Sequence, residues 1–348
     1  MTSVPHGGDV YGGEILYDFS ANLNPLGLPE GVKNALKNSI GEWEKYPDPY
    51  CRELIKKIAA HERFPAENIA CGNGAADLIY RIVRAVAPRR AIVPAPAFSE
   101  YEKALDESGS EVVLYPLAEE KDFALDEGIL DFLGEGVDLL ILCSPNNPTG
   151  KTIGGELLKR LCGECLQKKI VFLCDECFLD LADGGERRSV KNYVNASVVA
   201  LKAFTKTYAM AGLRLGYALF GDAALAAKVR EIGPFWNVSA PAQVAGIAAL
   251  DEKEYLKRSV DLIGQERDFL TGALQSFGFK VYPSEANFIL FQSDLPLDRL
   301  LLKKKILIRS CENFKGLDER FFRVAVRRRE ENEALIRAIG GRGWSKNG

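Results

Sequence analysis

The chain has 348 residues, 47% of them hydrophobic and 27% charged, and carries a formal net charge of −3 at pH 7. That length allows about two domains and a large core without disulfides, and the near-neutral balance argues against a strongly basic nucleic-acid binder. With only two histidines, a His-ligated metal site or a Ser-His-Asp hydrolase is a poor expectation from the outset.

The opening Met1-Thr-Ser-Val-Pro-His-Gly-Gly8 has no basic segment running into an apolar stretch, so no secretion signal is expected. Residues 1–40 hold too little apolar sequence to fold alone and are expected to pack beside a smaller domain. From 50 to 220 helical and strand patterns alternate. The pattern predicts a helix over 50–61, a strand over 68–71, a helix over 75–87, a strand over 90–93, a helix over 99–108 and a strand over 111–114. Strands follow at 138–142, 170–174, 197–203 and 215–220, with a helix over 155–167 between the first two. Alternation on this scale predicts an α/β domain with a mostly parallel sheet, over about 41–235. In 236–348 a long helical region, 240–277, precedes short strands at 280–282, 288–291, 307–308 and 321–326 and a last helix to about 339. This reads as a smaller α+β domain. The longest apolar run, Val137-Asp-Leu-Leu-Ile-Leu-Cys143, has the length of one buried strand and is far short of a membrane span. Neither a membrane nor a nucleic acid is an expected partner.

Eight cysteines include the pairs Cys162-x-x-Cys165 and Cys174-x-x-Cys177. The second pair sits in a strand pattern, whose alternating side chains do not converge easily on one ion. Buried, reduced cytoplasmic thiols are therefore expected, and no metal. Two loops imitate nucleotide motifs. Gly72-Asn-Gly-Ala-Ala-Asp77 lacks the third glycine of a dinucleotide fingerprint, yet its place between strand and helix suits an anion. Pro145-Asn-Asn-Pro-Thr-Gly-Lys-Thr152 ends like a Walker A loop, but Pro145 and Pro148 remove two N–H donors such a loop needs.

In parallel sheets ligands sit beyond the carboxyl ends of the strands. Four segments fall there: Ser144-Pro-Asn-Asn-Pro-Thr-Gly150, Cys174-Asp-Glu-Cys-Phe178, Ala203-Phe-Thr-Lys-Thr207 and Gly212-Leu-Arg-Leu-Gly216. Singly, the first three read as a plain turn, a solvated strand end and a surface lysine. Together they suit pyridoxal phosphate (PLP), which needs a lysine to hold it as a Schiff base and a carboxylate facing the pyridine nitrogen. It also needs a donor to the phenolic oxygen and an anion site for its phosphate. On these segments, and over nearly its whole length, the chain resembles the fold-type I PLP-dependent enzymes of the aminotransferase superfamily. That fold is α/β, a mostly parallel central sheet with a smaller α+β domain. The resemblance implies that Lys206 forms the Schiff base, Asp175 faces the ring nitrogen, Asn147 bonds the phenolic oxygen and Phe98 stacks on the ring. It assigns the phosphate to Gly74, Ala75 and Ala76 with Thr205 and Arg214. Tyr46, in Lys45-Tyr-Pro-Asp-Pro49, matches a tyrosine that reaches the phosphate of a neighbouring subunit, which implies a homodimer with shared active sites.

Within the superfamily the chain is similar to the histidinol-phosphate aminotransferase branch, and there to the threonine-phosphate decarboxylases of cobalamin biosynthesis. The features that carry this are His6-Gly-Gly8 followed by Asp18-Phe-Ser-Ala-Asn-Leu-Asn-Pro-Leu-Gly27, and Phe178 where the aminotransferases usually have tyrosine. Ile308-Arg-Ser-Cys-Glu-Asn-Phe314 followed by Phe322-Arg-Val-Ala-Val-Arg327 is the third. A phosphorylated amino acid carries two anionic groups, and Arg309 and Arg323 can each supply a cationic fork. The resemblance adds His6, Gly7, Asn22 and Asn147 to the substrate shell. The activity it implies is decarboxylation of O-phospho-L-threonine to 1-amino-2-propanol phosphate. The alternative is a histidinol-phosphate or related amino-acid aminotransferase. O-phosphoserine, one methyl smaller, stays open as a substrate.

Overall fold

Leu139-Leu-Ile-Leu-Cys143 has no polar side chain to turn towards water, and it forms a strand buried at every position. That is how a strand reads when helices cover both faces of its sheet. The computed structural model of the chain describes residues 6–341. The outermost parts of the two predicted end segments, 1–5 and 342–348, lie outside the described residues.

In chain order, β1 is Tyr17–Asp18, α1 Glu30–Asn38, α2 Arg52–Glu62, β2 Ile69–Gly72, α3 Ala75–Val86, β3 Arg90–Ala95, α4 Glu100–Glu107, β4 Glu111–Pro116, α5 Ile129–Phe132 and β5 Leu139–Cys143. There follow α6 Gly155–Lys168, β6 Val171–Asp175, α7 Gly185–Arg188, β7 Val198–Ala203, α8 Phe204–Thr207, β8 Gly216–Phe220 and α9 Ala223–Glu231. The rest of the chain gives α10 Ala240–Ala249, α11 Lys253–Ser276, β9 Lys280–Val281, β10 Phe288–Gln292, α12 Leu297–Leu302, β11 Ile306–Leu307, β12 Arg309–Ser310, β13 Phe321–Ala325 and α13 Arg329–Gly340.

Seven strands form one sheet in the order β2-β8-β7-β6-β5-β3-β4. The pairings from β7 to β4 are parallel, and β8 alone runs antiparallel to both its neighbours. The side-chain period of two splits each strand between two cores. On β5, Leu140 and Leu142 enter one, while Leu139, Ile141 and Cys143 enter the other. On β7, Val198 and Ala200 face the first, and Val199, Leu201 and Ala203 the second. Each large aliphatic or aromatic residue fully buried this way contributes roughly 1.5–3 kcal/mol.

A second, antiparallel sheet has the order β12-β13-β10-β9. The amino-terminal segment divides between the two bodies. β1 pairs in parallel with β11, and Phe19 enters the core under the small sheet. Helix α1 instead packs on α10 and sends Val32 into the large core.

The predicted helical region over 240–277 is two helices broken at Leu250–Glu252. Their apolar faces have different partners. α10 lies against Leu54 and Leu215, so closely that a Cβ at Gly246 would come within 2.5 Å of Leu215 Cδ2. α11 sends Leu270 and Leu274 under the small sheet. Helices α1 and α9 had no sequence prediction. Both are short, and only Val32 of α1 and Ala226 and Val229 of α9 are buried, too few for a clear periodicity.

Candidate active site

All the chemistry-bearing loops leave the large sheet at one edge. β5 ends at Cys143 and runs into the Asn147 turn, β6 ends on Asp175, and β7 ends at Ala203, three residues before Lys206. β2 leads through Gly74 into α3, and β3 into Phe98. Their side chains surround a cavity of about 230 Å³, whose far wall is supplied by the small sheet and the amino-terminal segment.

Lys206 sits in the single turn of α8, with its Nζ 5.9 Å from the centre of the Phe178 ring. Burial, with Arg323 and Arg214 near it, lowers its ammonium to about 8 from the usual 10.5. An appreciable fraction is therefore a neutral, nucleophilic amine near physiological pH. Asp175 is buried, and desolvation pushes its carboxyl above the usual carboxylate range. Two fixed donors act against that shift. The Tyr101 hydroxyl donates to Oδ2 at 2.7 Å, and the Cys177 backbone N–H donates to Oδ1 at 2.9 Å. Tyr101 is itself fully buried and meets Phe98 edge-on, at 5.6 Å between centroids.

The start of α3 forms an anion cradle, because the first N–H groups of a helix have no intrahelical acceptor. Gly74 precedes it with φ +85°, and a Cβ there would lie 2.6 Å from Arg214 Nη2. Only glycine lets the guanidinium come this close. On the other side a Cβ at Gly216 would lie 2.7 Å from Ala75 N. Ala75, Ala76, Thr205 and Arg214 line the cavity around this corner.

Arg309 and Arg323 face each other across β12 and β13 as register partners, and both are more than nine-tenths buried. Arg323 donates through one Nη to Asn147 Oδ1 and through the other to the Ser20 carbonyl at 2.8 Å. Its Nε has no partner among the described residues. With its oxygen taken by Arg323, the Asn147 amide keeps its N–H groups for another acceptor. Arg309 donates to Asn313 Oδ1 at 2.6 Å and lies over the Phe314 ring. Burial lowers both guanidinium groups, Arg323 to about 10.

Ser20 also organises the amino-terminal segment. Its hydroxyl accepts from Gly8 N–H at 2.7 Å, and a Cβ on Gly7 would collide with its carbonyl oxygen. His6 is thereby carried to the cavity mouth beside Phe98, at 5.5 Å between ring centroids. Asn22 lies on the same wall, and its Oδ1 has no partner among the described residues.

Of the residues singled out from the sequence, all but two line this one cavity: His6, Gly7, Asn22, Ala75, Ala76, Phe98, Asn147, Asp175, Thr205, Lys206, Arg214, Arg309 and Arg323. Gly74 is just behind the wall against Arg214. Tyr46 is outside, 79% exposed and stacked on Trp236 at 4.5 Å. Sequence reasoning passed over Tyr101, Ser20, Cys177, Asn313 and Phe314. The short spacings Phe98–Tyr101 and Arg309–Asn313 were visible in the sequence, but neither pair lies within one helix, so the helical face rule could not find them. The eight cysteines are all free and buried, with Cys162 and Cys165 in α6 and Cys174 in β6.

The donor set fits PLP. An amine, a buried carboxylate, an amide with free N–H groups and a glycine-lined anion corner converge on one cavity. A family model described as aminotransferase class I and II matches residues 14–339. The chain is 38% identical to a threonine-phosphate decarboxylase of Salmonella typhimurium over 93% of its length and 90% of that protein. It is 35% identical to a histidinol-phosphate aminotransferase of Methanosarcina mazei, over 94% of its length and 88% of that protein. Among solved structures, a histidinol-phosphate aminotransferase of Sinorhizobium meliloti in complex with pyridoxal-5'-phosphate superposes with a TM-score of 0.84 at 25% identity. It covers 94% of this chain and 91% of that one.

Proposed function

The chain belongs to the aminotransferase class I and II family of PLP-dependent enzymes, and on that premise we propose that it decarboxylates O-phospho-L-threonine to 1-amino-2-propanol phosphate and CO2. The observation that carries this reading is the buried, cross-strand pair Arg309 and Arg323. Like charges directly opposite each other are destabilising. Two of them in one cavity wall, one with an Nε that has no partner among the described residues, suit a ligand with two anionic groups. A phosphorylated amino acid has both a phosphate and a carboxylate.

Lys206 would hold the cofactor's aldehyde carbon and Asp175 would face its ring nitrogen. Asn147 would donate to the phenolic oxygen, while Thr205, Arg214 and the start of α3 hold the phosphate. When bound, PLP supplies an electron sink for the negative charge left at Cα when one of its bonds breaks. The protein decides which bond that is. Arg309 and Arg323, each on one anionic group, with His6, Gly7 and Asn22 closing the wall, fix the substrate at both ends. Held in this way, the substrate would present its Cα–carboxylate bond as the one to break, with CO2 as the leaving group. Lys206, whose ammonium is lowered to about 8, would take up a proton once released and, as the ammonium, would return it to Cα. Phe178 offers no hydroxyl beside this lysine, so the amine has no phenolic competitor there for its proton. The product suits the nucleotide-loop linker of cobalamin.

The exposed aromatics Tyr46, Tyr50, Phe235 and Trp236 lie together. They support a homodimer in which Tyr46 completes the partner's phosphate site. Incubation of the PLP-loaded protein with O-phospho-L-threonine tests the reaction. CO2 and an amine product are expected. Transamination of histidinol phosphate with no CO2 from phosphothreonine would establish the aminotransferase instead.

A further inference from the structure

His6 approaches the cavity on a segment anchored by backbone contacts to Ser20. What fixes its ring is a residue no function has yet been given. Glu100, the first residue of α4, has its carboxylate held at both oxygens. His6 Nε2 lies 2.9 Å from Oε1, and the Tyr80 hydroxyl on α3 donates to Oε2 at 2.9 Å. The Glu100 side chain is 15% exposed and that of His6 42%. The carboxylate is thus the half-buried member and the imidazole the more exposed one.

We propose that Glu100 is a positioning residue that orients His6 at the cavity mouth and so tightens the subsite for the substrate's phosphate. This rests on the reading of His6 as a substrate-binding residue. A hydrogen bond to one ring nitrogen fixes the orientation of the imidazole and which nitrogen is left for a ligand. Phe98 limits the ring from the other side. The pairing also removes a liability. A carboxylate beside an anion site repels the anion unless its charge is engaged, and Glu100 is engaged by His6 and Tyr80. Removing His6 therefore does two things at once: it deletes a donor and it uncovers a negative charge.

The test is a double-mutant cycle on the PLP-loaded enzyme with His6→Ala, Glu100→Ala, which leaves His6 no acceptor, and the double variant. KM is measured for O-phospho-L-threonine and for unphosphorylated L-threonine, and melting temperature is measured alongside. Each single change is expected to raise the KM of the phosphorylated substrate about tenfold, the size of one charge-assisted hydrogen bond. L-threonine should be unaffected. The double variant should be no worse than His6→Ala. Glu100 in the first turn of α4 also favours the helix dipole. A role confined to that would lower the melting temperature, move both substrates equally and multiply with His6→Ala. Any of those kinetic outcomes overturns the proposal, as does an unchanged KM in Glu100→Ala. If the protein transaminates histidinol phosphate and releases no CO2, the same cycle with histidinol phosphate and histidinol still tests the pair, so the two failures stay distinct.

Discussion

Asp175 poses a problem of ionisation. A carboxylate in a water-excluded pocket drifts towards its neutral form, yet the role proposed for it, facing a protonated ring nitrogen, needs it charged. The Tyr101 hydroxyl and the Cys177 N–H hold it against that drift. Tyr101→Phe removes one oxygen and keeps the ring that braces Phe98. With one donor lost, the Asp175 carboxyl rises further and the charged fraction at a given pH falls. The acid limb of the kcat profile should move to higher pH, with kcat down about tenfold and the cofactor still bound. A profile that stays in place would mean that Tyr101 only fills space. That Lys206, Asp175 and Asn147 gather in one cavity was legible in the sequence, because each lies at the end of a recognisable strand. Tyr101 was not, because its partner is 74 residues away and only the parallel pairing of β3, β5 and β6 brings the two together.

At the scale of elements, a buried ionic cluster joins α2 to the central strands. Glu62, the last residue of α2, accepts from Lys191 and from the Tyr217 hydroxyl of β8, both at 2.5 Å, and lies 3.2 Å from Lys202 of β7. Lys202 also meets Asp180 at 2.8 Å. It stands four residues before Lys206, so this cluster anchors the strand that leads to the proposed Schiff-base lysine. Burial would raise the Glu62 carboxyl, but Lys202 and Lys191 outweigh it and bring it to about 2. A carboxyl held below its unfolded value stabilises the fold fully above about pH 4.5, and that stability is lost as pH falls towards about 2. Glu62→Gln leaves two ammonium groups short of a counter-charge and should cost about 3–5 kcal/mol in urea denaturation at pH 7. It should also flatten the pH dependence of stability between 4.5 and 2. An unchanged midpoint at pH 7 would show that Asp180 alone compensates Lys202. No sequence pattern exposes such a cluster, since a lysine inside a strand reads as an edge or a surface position. The α10–α11 break was hidden for a related reason: both halves read as helical, and their different packing partners separate them.

Over the whole molecule, the sequence reading captured the alternation that builds the large sheet, because strands such as Leu139–Cys143 are too apolar to be anything else. The division of the amino-terminal segment between two bodies was not legible. Val32 and Phe19 look alike in sequence, yet one enters the large core and the other the small one. The exposed aromatic patch of Tyr46 and Trp236 carries a prediction at this scale. The protein should sediment as a dimer. Trp236→Ser should weaken the dimer and speed cofactor loss together, since Tyr46 is proposed to serve the partner's phosphate site. A fully active monomer would contradict shared sites. Above this stands the claim that paired arginines in the small sheet aim the carboxylate, and not the Cα hydrogen, across the ring. Purified, PLP-loaded protein given O-phospho-L-threonine labelled in its carboxyl carbon measures that choice directly. The label should appear as CO2 in step with 1-amino-2-propanol phosphate. Label retained in an oxo acid, or in unreacted substrate while histidinol phosphate is turned over, would contradict it.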